Sequence, residues 1–256
     1  VRLDAVLDKG HLKLIMSAEN ERMNADVDLK PVDTKWEFAL NHKGKMDLGE
    51  LIDRKKYGTD ESQAPLDIEL HFKGTGESPA AMIQSAEGQF LMVIGEGELS
   101  ETIAQHLPLG TALYSLIAAL LPKEKREDRG KLECAVVQFD VAKGIATNSK
   151  GLALRTDQLN VLGGGALKLQ TGEINLKFKT AQRKGLGISL IGIADRVAGV
   201  TGTLDKPTVS LDVGGAAVYG AAAWASAGLS VVADSIFTRL TAVSNPCEYV
   251  LKAVKN

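Results

Sequence analysis

Large aliphatic residues occupy alternate positions through much of this chain, and glycine punctuates the runs. The clearest stretch is 152–179. It reads Leu152-Ala-Leu154-Arg-Thr156, then Leu159-Asn-Val161, then Gly163-Gly164-Gly165, which predicts a turn. Leu167-Lys-Leu169-Gln170, a Thr171-Gly172 turn and Ile174-Asn-Leu176-Lys-Phe178-Lys179 follow. A strand points successive side chains to opposite faces, so this pattern predicts strands with one apolar and one wet face. An apolar face of that kind has to be hidden against something.

The same period appears from Met23 onward. Met23, Ala25, Val27 and Leu29 alternate with polar residues, as do Trp36, Phe38 and Leu40. Turn residues are expected around Asn41. Leu66, Ile68, Leu70 and Phe72 alternate with Asp67, Glu69, His71 and Lys73. Residues 46–54 have helical spacing and predict a short helix, followed by a polar linker over 55–64. Ser78-Pro79 predicts a helix start that runs to near Gly88, with Ser78 as cap and Pro79 in the first turn. Gln89–Ile94 predicts a strand. Residues 100–121 predict a helix bent at Pro108 and Gly110, and 122–130 an exposed loop of mixed charge.

Strands are then expected over 132–142, 145–148, 152–161, 166–170, 173–179, 187–193, 198–204 and 208–213. The turns between them are short, which favours antiparallel pairing of neighbours and hence a meander. Residues 213–233 carry no charge. They are rich in alanine and glycine rather than in large aliphatics, too weakly apolar for a membrane span. They predict a small-residue helix packed on the sheet, continued by an amphipathic stretch that Asn245-Pro246 ends.

The expected fold is mainly β with α: a curved antiparallel meander forming a β-groove, with two or three packed helices. It is read as one domain over 1–256. First strands and short helices occupy 1–98, a helix and charged loop 99–130, the β-meander 131–213 and a carboxy-terminal helix 214–256.

Composition narrows the function. The chain has 256 residues, 45% hydrophobic and 24% charged, so it can bury a substantial core. A net charge of −2 gives no basic field for nucleic acid or polybasic membrane docking. Aromatics are only 5%, which disfavours base-stacking surfaces. The chain opens Val1-Arg2-Leu3 with no signal peptide or anchor legible, and the start is expected to lie inside a longer protein. Cys134 and Cys247 either pair, closing a long loop, or remain two buried thiols.

Catalytic patterns are not found. His11, His42, His71 and His106 lack metal-ligand spacing from one another and from the cysteines, and read as surface residues. Gly163-Gly164-Gly165 lacks the lysine, the Ser/Thr and the following helix of a phosphate loop. No Gly-x-Ser-x-Gly elbow occurs. No enzyme activity, cofactor or metal is expected. What remains is the apolar sheet face. An ordinary core covered by helices is the plain explanation. Yet about a dozen amphipathic strands present more apolar surface than two helices of about 20 residues cover.

The order and spacing of several segments resemble the carboxy-terminal region of the AsmA family, relatives of TamB. The resemblance rests on Leu132-Glu-Cys134-Ala-Val-Val-Gln-Phe139 through Gly144-Ile-Ala-Thr147, on Leu152–Thr156, Val161–Gly165 and Gly172–Leu176. It continues in Val200-Thr-Gly202-Thr-Leu204-Asp-Lys206-Pro207-Thr-Val209 and Asn245-Pro246-Cys247, and upstream in Ser78-Pro79 and Glu87-Gly88-Gln89-Phe90. It covers nearly all of 46–250, well over 130–212 and weakly over 1–45.

The resemblance implies a bacterial envelope protein in the periplasm, anchored in the inner membrane by an amino-terminal segment. It implies kinship with bridge-like lipid-transfer proteins and a link to outer-membrane assembly. It also implies that Cys134 and Cys247 form a disulfide. The function expected is a non-enzymatic lipid-handling module that holds phospholipid acyl chains during transfer between inner and outer membranes, with glycerophospholipid as cargo. Candidate groove positions are Trp36, Phe38, Ile68, Leu70 and Phe72 in the first half. In the second they are Leu152, Leu154, Leu167, Leu169, Ile174, Leu176 and Phe178. The alternative is a structural factor for outer-membrane protein biogenesis, contacting protein clients or other envelope proteins through strand edges.

Overall fold

Short turns between amphipathic runs dictate the architecture. Lys9-Gly10 and Lys143-Gly144 have positive φ at both central residues, the backbone of a type I′ hairpin, which matches the right-handed twist of the strands it joins. In the computed structural model, residues 2–17, 23–47, 64–97, 111, 114, 115, 131–148, 151–157, 159–183, 197–212 and 244–255 are described. They form one 13-stranded antiparallel sheet and two regular helices.

The strands are β1 (Arg2–Asp8), β2 (His11–Ser17), β3 (Met23–Val32), β4 (Lys35–Asp47), β5 (Pro65–Gly76) and β6 (Glu87–Ile94). Then come β7 (Leu132–Ala142), β8 (Ile145–Thr147), β9 (Leu152–Thr156), β10 (Leu159–Lys168), β11 (Glu173–Gln182), β12 (Val197–Thr203) and β13 (Pro207–Asp212). Spatial order follows chain order, except that β8 and β9 share the space between β7 and β10, each pairing with both. The predicted antiparallel meander is therefore present.

Several boundaries differ from expectation, each for a local reason. β1 and β2 precede the first anticipated strand. β4 runs through Asn41 to Asp47 instead of turning, so Met46 and Asp47 are strand, not helix; the rest of the 46–54 prediction lies outside the described residues. The helix at Ser78-Pro79, α1 (Pro79–Gln84), is capped as predicted, with the Ser78 hydroxyl accepting from the Ala81 amide at 3.2 Å. It stops earlier than Gly88, because Ser85 turns back to bond both backbone groups of Thr75. The 152–161 run breaks in two where the Thr156 hydroxyl accepts from the Leu159 amide.

The Gly163–Gly165 run is not a turn but the middle of β10. The reason is space: Gly163 faces Phe178 on β11, and a Cβ there would overlap the ring and lie 2.7 Å from the Lys177 carbonyl oxygen. Glycine lets the aromatic ring lie flat on its neighbour's backbone.

Asn245-Pro246 starts a helix; the stretch that it was expected to end lies outside the described residues. In α2 (Pro246–Lys255) the Asn245 side chain accepts from the Glu248 amide, Glu248 sits in the first turn and Lys252 and Lys255 in the last, so charges oppose the helix dipole at both ends. The predicted helix 100–121 is described only at Thr111, Tyr114 and Ser115, all helical. The predicted loop 122–130, strand 187–193 and helix over 213–243 lie outside the described residues, as does the linker apart from Ala64.

α2 packs on the outer side of β7, β9 and β10, where Val136, Ala153 and Leu162 meet Cys247 and Val250. The Cys134–Cys247 disulfide pins it there, closing a separation of 113 residues with Cα atoms 6.5 Å apart. In the chain-entropy account such a loop contributes up to about 5 kcal/mol. Beside it Glu133 holds two guanidinium groups, Arg183 and, at 2.6 Å, Arg155. Arg155 also donates to the Ser244 carbonyl, just before α2, and Arg183 to the Thr156 carbonyl. Burial opposes ionisation of Glu133, but the Arg183 hydrogen bond and the charges of Arg155 and Arg183 outweigh it and hold its carboxyl below the usual value of 4.5.

Two tests follow. Gly163→Ala should lower stability by about 1–3 kcal/mol in urea denaturation, as expected for overpacking. Glu133→Gln should cost about 1–2 kcal/mol at neutral pH. Because the folded carboxyl titrates below the unfolded one, this contribution is complete above pH 4.5 and fades as pH falls through the folded value. The gap between native protein and Glu133→Gln should therefore narrow between pH 6 and 3.5.

Candidate functional site

Antiparallel register carries one apolar face across the whole sheet. One cross-strand row runs Ala5, Leu14, Val27, Leu40, Phe72, Gly88, Val141, Ala146, Leu167, Ile174, Gly202 and Pro207. A second joins Met46, Leu66, Ile94, Ala135, Leu154 and Val161. A third runs from Gly44 through Ile68 and Met92 to Val137. Residues directly opposite share a face, so these rows lie on one side.

The other side is charged, and its pairs sit at register positions. Lys30 meets Glu37, Lys43 meets Glu69 and Lys45 meets Asp67, each within 3.5 Å of its directly opposed partner. Such exposed pairs add little stability each, but a slip would break all of them together. His71 lies on this side as predicted, within hydrogen-bonding distance of Asn41 and Glu69. Burial disfavours the Glu69 anion, but contacts with His71 and Lys43 outweigh it and keep its carboxyl below its ordinary value. His42 departs from expectation. It stands on the apolar side, half-buried between Ala25 and Leu70.

The twelve predicted groove positions all fall on the apolar side, but protein covers them unequally. Leu152, Leu154, Leu167, Ile174, Leu176 and Phe178 are buried in the main core and are not open to a ligand. Phe38, Ile68, Leu70, Phe72 and Leu169 are half-buried, and Trp36 is 38% exposed. Exposure then rises toward β1: Met16 is 43% exposed, Leu3 61% and Leu7 73%. The open part of the face thus lies on the first five strands. α1 covers one end of it. Gly74 and Gly76 admit the helix so closely that a Cβ at Gly76 would lie 2.5 Å from the Met82 amide nitrogen.

Leu3, Leu7, Leu12, Leu14 and Met16 were missed from the sequence as members of this face. Their signal is the Lys9-Gly10 turn between two alternating runs. It is blurred by the consecutive Leu14-Ile15-Met16, in which Ile15 falls on the wet side, 43% exposed.

No protein-family model, curated protein or solved structure matches this chain.

The split between covered and open positions has a measurable consequence. Leu176→Ala should cost about 2–5 kcal/mol in urea denaturation, whereas Leu14→Ala and Trp36→Ala should each cost about 1 kcal/mol or less.

Proposed function

We propose that this chain is a non-enzymatic lipid-handling module of the AsmA type, in which a groove in the sheet holds phospholipid acyl chains. The observation that carries the reading is the continuous apolar face that loses its cover over β1–β5. An apolar patch of that extent on a water-soluble surface marks an interaction site. Its side chains are aliphatic and aromatic, with the half-buried His42 between Ala25 and Leu70 beside the rows named above, so tails rather than headgroups would be recognised.

The buried half, through Leu176 and Phe178, is the scaffold, and the open half, through Leu14, Leu40, Ile68 and Phe72, is the lipid surface. Cargo would be glycerophospholipid moving between inner and outer membranes. The disulfide fits an oxidising compartment such as the periplasm, with a membrane anchor supplied by sequence before this segment. The proposal assigns the chain no reaction, cofactor or nucleic-acid partner.

Benzoyl-phenylalanine placed at Leu14, Leu40 or Phe72 should give phospholipid adducts in bacterial envelopes, and at Lys43 on the wet side none. Native mass spectrometry of gently purified protein should retain phospholipid. Lipid-free spectra together with no lipid adduct at any of the three positions would overturn the reading. The runner-up, an assembly factor for outer-membrane proteins, would act through exposed strand edges, and protein adducts confined to such edges would favour it.

A further inference from the structure

His11 and His71 stand on the wet side of the sheet, and each has a partner. His11 meets the Asp28 carboxylate at 2.9 Å, and His71 the Asn41 side chain at 3.0 Å. His42 differs in both respects. It lies on the apolar side of β4, half-buried, with Ala25 directly opposite on β3 and Leu70 directly opposite on β5. Among the described residues its ring has no hydrogen-bond or ionic partner. On that side of β2–β6 the register places apolar residues or glycine at the paired positions; the exceptions are His42 and, near the start of β4, the Trp36 indole.

We infer that His42 is the polar contact of the open face, its ring N–H donating a hydrogen bond to the ester carbonyl of a bound acyl lipid. The inference rests on the lipid reading above and names what the face recognises besides the tails.

The argument is one of desolvation. In the free protein, water can reach a half-buried ring. When hydrocarbon spreads over Leu40, Phe72 and Ile68, water leaves, and a polar group stripped of water without a new partner weakens binding. An imidazole carries at least one N–H in either tautomer and in either charge state, so it always has a donor to satisfy. A ligand made of hydrocarbon alone is thus penalised at this position, and one that brings an acceptor is not. Phosphate and headgroup hydroxyls are strongly hydrated and stay in water. The ester carbonyl is joined directly to the tail and is uncharged, so it enters apolar surroundings at lower cost.

The neighbours suit that contact. Ala25 offers only a methyl group beside the ring, which leaves room for an atom of the ligand. Two residues along β4, about 7 Å away, Leu40 continues the face with Phe72 opposite it, a bed for the tail. Sheet stability does not account for histidine here, since leucine at this position would bury more apolar surface and leave no N–H to satisfy.

The test compares a short-chain diacyl phosphatidylcholine with its dialkyl ether counterpart, which lacks the carbonyls. Both are titrated calorimetrically below their micelle concentrations. Native protein should bind the ester lipid about tenfold more tightly. His42→Leu should lose that preference, chiefly by binding the ether lipid better, with unchanged or higher stability in urea. His42→Gln keeps an N–H donor and should keep the preference. Because each variant is judged by its own ester-to-ether ratio, a partial loss of folded protein does not alter the reading. With carbon-13 at the ester carbonyl, the infrared stretch of bound lipid should move to lower wavenumber in native protein and not in His42→Leu. If both lipids bind but equally, or if His42→Leu keeps the full preference, this inference is wrong and the lipid reading stands. If native protein binds neither lipid, both fall.

Discussion

Antiparallel register is the constraint on which this structure depends. In a sheet whose strands follow one another in space, each hairpin fixes the next, and side chains with period two carry their polarity across every pairing. Leu14, Val27, Leu40 and Phe72 share one side because four successive strands keep phase. The opposed pairs Lys30–Glu37, Lys43–Glu69 and Lys45–Asp67 hold that phase from the wet side. A shift by a single residue would move a whole strand's apolar set into water, which is the strongest penalty the fold can impose.

An apolar face of thirteen strands is unevenly sheltered. From β6 to β12 it forms the core, with Met92, Ile94, Leu176 and Val200 almost wholly inaccessible. On the outer side of the same region the sheet carries α2, fixed by the disulfide and by Glu133 between its two arginines. This is the cross-linked end. Toward β1 the face is progressively bare. Stability and the proposed function therefore fall on different parts of one surface: the covered half supplies the folding energy, and the open half is the apolar area that the proposed lipid would occupy.

Much of this was legible in the sequence. Period-two alternation marked most strands, and short turns marked their antiparallel order. Ser78-Pro79 marked a helix start through its capping chemistry. The misses were physical. Gly163 to Gly165 looks like a turn because glycine usually is one; only the partner strand, with Phe178 lying on Gly163, shows that glycine is there to make room. Asn245-Pro246 reads only as a stop, and the helix that it opens was missed, although Glu248 and the terminal lysines mark it. Which leucines are open and which are core was not legible, because alternation assigns a face but not what covers it. Leu154 and Leu40 follow the same pattern, and only the first is buried.

Trp36 offers a direct readout, since it stands on the apolar side at the open half, 38% exposed. The chain has two tryptophans, so Trp224→Phe leaves Trp36 as the sole indole emitter. Adding phospholipid brominated along its acyl chains should quench that emission in a saturable manner, while the same lipid without bromine should only shift it. If saturating brominated lipid leaves Trp36 fluorescence unchanged in the folded protein, acyl chains do not occupy this face, and the account of the open half is wrong.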